Sequence, residues 1–291
     1  MANMRLPSPA RLLCLRMMRS IDAASRSPTR KASSMSRTAS SMQPLYNAGM
    51  DIKTIQKLRD LDNAFYRDNH ASFSQTRSQA WKGWDALIAS LPQVPASVLD
   101  VACGNMRFKA FLEERLGTFA YYGVDACAPL VPDSMRGSFK QLDLIEELAA
   151  GTLLAHLEAP ECDLTACFGF MHHVPSQALR SALMRALVDK TADGGTIAVS
   201  FWQFALDESH RRKAQETTRL ALQTVDVDLE EGDYLLGWQN KPGAYRYCHS
   251  FDDGEVAQLL DECGDTVQLV DRFSADGKTG DMNAYIVLRK L

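Results

Sequence analysis

Two hydrophobic periods succeed one another along this chain. From Asp51 onward, Ile52, Ile55, Leu58 and Leu61 recur at helical spacing, and a polar stretch from Asn69 to Arg77 reads as the end of that helix. A second amphipathic helix is predicted over Trp81–Ser90, with Pro92 and Pro95 ending it. Short apolar runs then take over. Ser97–Val101, Ala120–Val124, Phe139–Leu142, Asp163–Phe170 and Thr196–Phe201 read as strands, with helices over Arg107–Leu116 and Gln177–Lys190 and a turn at Asp193-Gly194-Gly195. Strands that alternate with helices at this spacing imply βαβ units and a mostly parallel sheet with helices on both faces. Ala205–Asn240 is polar, helical and then irregular, and reads as an insertion; a helix at Phe251–Cys263 and strands at Val267–Phe273 and Ala284–Leu288 close the chain.

Composition changes this picture at the start of the chain. Residues 1–49 carry eight basic side chains against the single acid Asp22, among many serines. That is the composition of an organelle transit peptide; a translation start at Met50 or a disordered leader is the other reading. Either way the expected domain is 50–291, with a cap insertion at about 205–250. Without the leader the remainder holds 24 basic and 35 acidic residues, a formal −11. Such a body does not draw polyanions over long range, so a nucleic-acid role needs a local basic patch or a basic partner. No apolar run reaches the roughly 18 residues a membrane span requires. The seven cysteines are scattered and form no CxxC pair, which argues for a reducing compartment and against a disulfide framework or a thiolate zinc site. A cytoplasmic location is the expectation, or an organelle if the leader is a transit peptide.

In an open parallel sheet, ligands bind at the carboxyl ends of the strands. The first three predicted strands each end on an acid: Asp100, Asp125 and Asp143. Asp125 stands where a doubly wound fold places the carboxylate that accepts hydrogen bonds from ribose hydroxyls. Strand-end aspartates also cap helices, so the three together carry the argument rather than any one alone. The first loop, Ala102-Cys103-Gly104-Asn105-Met106, lacks the G-x-G-x-x-G that seats a pyrophosphate on a helix N-terminus, which speaks against hydride-transfer chemistry.

The ordered series Val98-Leu99-Asp100-Val101-Ala102-Cys103-Gly104-Asn105, Gly123-Val124-Asp125, Leu142-Asp143-Leu144, Cys162-Asp163-Leu164 and Asp193-Gly194-Gly195 resembles the motifs of class I S-adenosylmethionine-dependent methyltransferases. The resemblance implies a Rossmann-like seven-stranded sheet with N-terminal helices and a cap insertion. It also implies S-adenosyl-L-methionine as cofactor. Ala102, Cys103, Gly104 and Asn105 would meet the methionine part and Asp100 its amino group. Asp125 would bind the ribose, Asp143 and Leu144 the adenine, and Phe168 on the fourth strand completes the set. The family usually has glycine where this chain has Ala102, and often where it has Met106; Met106 is expected to add bulk beside the methionine tail.

A second resemblance concerns the substrate. Phe73-Ser74-Gln75-Thr76-Arg77 with Trp81, then Met171-His172-His173-Val174, then Arg246-Tyr247-Cys248-His249-Ser250-Phe251 are similar to segments of the wobble-uridine tRNA carboxymethyl methyltransferases. Cys248 departs from that pattern, where the family has an aromatic residue. A carboxymethyl uridine needs a cation for its carboxylate and aromatic surface for its base. Arg77, Arg246, His172 and His249 are the candidate catalytic residues, with the histidines orienting rather than deprotonating. No metal is expected. The resemblance further implies a small zinc-binding activator subunit as partner. A small-molecule O- or N-methyltransferase and a non-catalytic cofactor-binding scaffold remain the alternatives.

Overall fold

The computed structural model describes residues 49–239 and 241–291; the leader reading therefore lies outside the described residues, apart from Gly49. Asp51 caps the first helix, α1 (Ile52–Gln75), by accepting the backbone N–H groups of Lys53 and Thr54. α1 runs through the stretch expected to end it. Asn69 stays helical by returning its side chain to the Phe65 carbonyl at 2.8 Å, and Phe73 packs on Tyr66.

The chain then forms α2 (Gly83–Ser90), β1 (Ser97–Val101), α3 (Arg107–Leu116), β2 (Ala120–Asp125), β3 (Phe139–Gln141), α4 (Leu144–Ala150), α5 (Leu153–His156), β4 (Cys162–Cys167), α6 (Gln177–Asp189) and β5 (Thr191–Trp202). α7 (Glu208–Ala221), β6 (Asp233–Trp238) and β7 (Lys241–His249) make up the insertion. α8 (Asp253–Asp261), β8 (Val267–Ala275) and β9 (Asn283–Lys290) complete the chain. Two details differ from the sequence reading. Asp193-Gly194-Gly195 lies within β5 as an irregularity in its pairing with β4, not before it. The second half of the insertion is ordered, as an antiparallel β6–β7 hairpin.

The seven-stranded sheet has the order β3-β2-β1-β4-β5-β9-β8. β1 to β5 pair in parallel and β9 runs antiparallel between β5 and β8. Successive residues of β1 serve opposite faces. Leu99 and Val101 join the core that holds α4, α6 and α8, whereas Val98 joins the core that holds α2 and α3. The strand order reverses between β1 and β4, so the loops after these strands open a crevice at the carboxyl edge. α1 and the hairpin stand over that edge. Among the described residues no helix is long and apolar enough to cross a membrane.

Candidate active site

The loop after β1 is wound tightly. Ala102, Gly104 and Met106 all take left-handed φ values, of 64°, 52° and 56°. A side chain in that region is strained by roughly 1–2 kcal/mol, which is the physical reason for glycine there. Gly104 faces open space, since nothing lies within 4 Å of where its Cβ would be. Met106, expected to add bulk beside the methionine tail, is instead absent from the cavity lining. Its side chain is fully buried in the core, with its methyl 2.8 Å from the position a Cβ on Gly123 would occupy.

Behind the loop stand the acids. The Asp125 carboxylate accepts the Gly104 N–H at 2.9 Å and the Cys127 N–H at 2.8 Å, so one side chain joins the ends of β1 and β2. Burial pushes its pKa up despite these bonds. Asp100 is buried and accepts the Tyr121 hydroxyl; burial pushes it up to about 7, with the Tyr121 bond pulling the other way. Asp143 caps α4 through the Glu146 N–H at 3.1 Å and accepts the Asn63 amide at 2.7 Å, so part of its capacity is already taken. Asn105 donates to the Arg77 carbonyl at 3.1 Å. Phe168 meets Phe108 edge-on. Asp163 lies at the opposite, amino edge, where it accepts the N–H groups of Ala96 and Ser97.

A second group of side chains faces these acids. The Arg77 guanidinium lies 3.6 Å from the centre of the Phe73 ring. Burial, then the charge of Arg246, brings its pKa down to about 10. Arg246 is buried among Phe65, Trp202 and Trp238, at 5.3, 5.8 and 5.7 Å from their ring centres, and its Nε has no hydrogen-bond partner among the described residues. His172 packs on Trp202, and its buried Nδ1 likewise has no partner among the described residues. Burial and the neighbouring positive charges of His173, Arg246 and Arg77 hold its pKa well below the ordinary value, so the ring is neutral at pH 7. His173 has Asp62 on Nδ1 at 2.9 Å and the Tyr66 hydroxyl on Nε2 at 2.8 Å, which locks α1 onto this region.

His249 does not join them. Side chains alternate along a strand. Arg246 lines the cavity, and Tyr247 and His249, on the other face of β7, reach Asp233 instead. His249 also meets Glu255 at 2.9 Å, making it a strut between the hairpin and α8. The ligand atoms of His172, His173 and Cys248 lie within 4.8 Å of one another. Both His173 nitrogens are already engaged, however, and two guanidinium groups stand close by, which favours an anion over a metal cation.

One cavity of about 730 Å³ joins the two groups, lined by Arg77, Asp100, Gly104, Asp125, His172 and Arg246, and by the other cofactor candidates. It also has walls the sequence reading did not assign. Asp62, Asn63 and Tyr66 come from α1, Trp81 and Arg107 stand near the loop, and Asp276 lies between β8 and β9. The Asp276-Gly277 turn was a usable signal. Asp276 holds a left-handed φ of 66° and accepts the Tyr285 hydroxyl, a strained acid at a cavity wall.

No family model matches the chain. A protein of Encephalitozoon cuniculi that carries a provisional methyltransferase name is 26% identical over 228 residues, spanning 78% of this chain and 93% of its own length. An S-adenosylmethionine-dependent methyltransferase from Methanosarcina mazei superposes with a TM-score of 0.53 at 17% identity, over 70% of this chain and 97% of that one. The 1,6-didemethyltoxoflavin-N1-methyltransferase of Burkholderia thailandensis does so with 0.54 at 15% identity, over 85% and 93%. The chain therefore has the class I methyltransferase fold, with its cavity at the carboxyl edge where that fold binds ligands.

Proposed function

We propose that this protein is an S-adenosylmethionine-dependent methyltransferase whose acceptor carries a carboxylate, and that the acceptor is a modified wobble uridine of tRNA. One observation carries the reading. Two arginines that form no salt bridge to a carboxylate among the described residues, Arg77 and Arg246, line an aromatic-walled cavity that also holds the acids Asp100 and Asp125. Arg246 has the Tyr66 hydroxyl and the charge of Asp62 beside it, but its buried Nε has no partner among the described residues. A buried donor left unmade is costly, which favours an anionic ligand that completes it.

The cofactor fits the acidic end. Gly104 leaves open space, Asp125 keeps acceptor capacity for ribose hydroxyls beyond its two backbone bonds, and Asp100 offers a charge for an ammonium. When bound, S-adenosylmethionine supplies a methyl group made electrophilic by its sulfonium. At the other end, Arg77 and Arg246 neutralise and aim the acceptor carboxylate, and neutral His172 fixes its orientation through Nδ1. A carboxylate oxygen needs no base, so holding it at near-attack distance is the main contribution of these residues.

A small-molecule acceptor is the second reading, favoured by the formal −11 of the body. Mass spectrometry of tRNA nucleosides from cells lacking the gene separates the two. Loss of the wobble carboxymethyl ester is expected; an unchanged ester removes the tRNA reading. Co-purification of a small zinc protein with the chain tests the implied activator subunit.

A further inference from the structure

A third arginine stands at the loop end of the cavity, outside the acceptor group. Arg107 is the first residue of α3, one position beyond the left-handed Met106, and lines the same cavity as Asp100. Its guanidinium carbon lies 4.8 Å from the centre of the Trp81 ring and 5.4 Å from that of Trp84. Its Nη1 donates to the Gln79 carbonyl at 3.0 Å, which fixes the group in place. Asp276 and Asp100 act on it only through space, without a hydrogen bond, and Asp276 is itself occupied by Tyr285 and Asn283. Burial lowers its pKa only to about 10, so the group remains a cation at neutral pH.

Two opposite charges thus bracket the Ala102–Met106 loop: Asp100 before it and Arg107 after it. The amino-acid end of a methionine derivative carries the same two charges in complementary sense, an ammonium and a carboxylate. We propose that Arg107 is the counter-ion for the α-carboxylate of S-adenosylmethionine, matched across the loop by Asp100 for the α-ammonium; this rests on the cofactor reading above. Arg77 is not the better choice. Its guanidinium sits on Phe73 near Trp238, and the charge of Arg246 acts on it more strongly than that of Arg107. A planar guanidinium also recognises a carboxylate through two parallel bonds, which a lysine cannot reproduce.

The test titrates S-adenosylmethionine and its decarboxylated analogue into the wild-type protein, Arg107→Met and Arg107→Lys. The wild type is expected to prefer the parent compound by about tenfold or more. Arg107→Met is expected to lose that preference by weakening only the parent. Its binding of the analogue stays within about twofold of wild type, which also shows that the variant folds. Arg107→Lys is expected to keep part of the preference. Equal weakening of both ligands in Arg107→Met, or a wild type that does not discriminate, overturns the assignment while leaving the cofactor reading intact. A wild type that binds neither compound overturns both.

Discussion

Asp125 receives two backbone N–H groups before any ligand arrives, whereas Arg246, in the same cavity, keeps a buried Nε with no partner among the described residues. The contrast runs through both ends. The acids stand at the ends of neighbouring parallel strands and belong to the sheet's own bonding. The arginines come from just after α1 and from the β7 strand of the hairpin, and they rest on aromatic rings without a carboxylate salt bridge among the described residues. One end is a finished part of the scaffold that can take on additional hydrogen bonds. The other is a recess with two arginines against the single carboxylate of Asp62, and it keeps a buried donor free for an anion. A cavity with this division of charge suits a cationic cofactor at one end and an anionic acceptor at the other.

The comparison breaks most readily at Asp125. Asp125→Ala is expected to weaken S-adenosylmethionine by more than about 100-fold, since two charge-assisted bonds to ribose and the loop anchor go together. A calorimetric loss below about tenfold would place the ribose elsewhere. Arg246→Met probes the other end. Methyl transfer is expected to fall about 30- to 100-fold with cofactor affinity held within about threefold, and a parallel loss of cofactor binding would mean the two ends are not separate.

Met106→Gly relieves a strained φ but empties a fully buried site. Unfolding by denaturant is expected to show a net destabilisation of about 2 kcal/mol or more. Asp100 gives a pH signature. Its raised pKa of about 7 means that the cofactor-free site holds a proton below that value, and the ionised form is the one that binds an ammonium. Cofactor affinity is therefore expected to rise about fivefold from pH 6 to pH 7, and Asp100→Asn to flatten the rise. The smallest effect belongs to Ala102→Gly. It relaxes the loop at a partly exposed position and is expected to raise the melting temperature by about 2–4 °C.

The division between the ends also explains what could be read in the sequence. The sheet and its acids were legible because each strand, its terminal acid and the following helix are contiguous, and local period and spacing suffice. Asp100, Asp125 and Asp143 all fell where that logic puts them, although Asp143 is partly spent as a cap. The acceptor end depends on long-range assembly. Arg77 and Arg246 could be proposed from motif resemblance, yet nothing local shows that they meet in one cavity. His249 was placed with them through the Arg246–Phe251 resemblance; strand parity sends it to Asp233 instead. α1 was cut short at Asn69 because a polar stretch hides the contacts of Asn69 with the Phe65 carbonyl and Lys241. The order of β6 rests on pairing with β7, which its irregular pattern did not announce.

The most direct test titrates S-adenosylmethionine into the wild-type protein and into the Arg77→Met/Arg246→Met double variant. One site per chain is expected in both, with a dissociation constant in the micromolar range that differs by no more than about threefold between them. Binding weaker than about 1 mM in the wild type, or affinity that disappears with the two arginines, would contradict it.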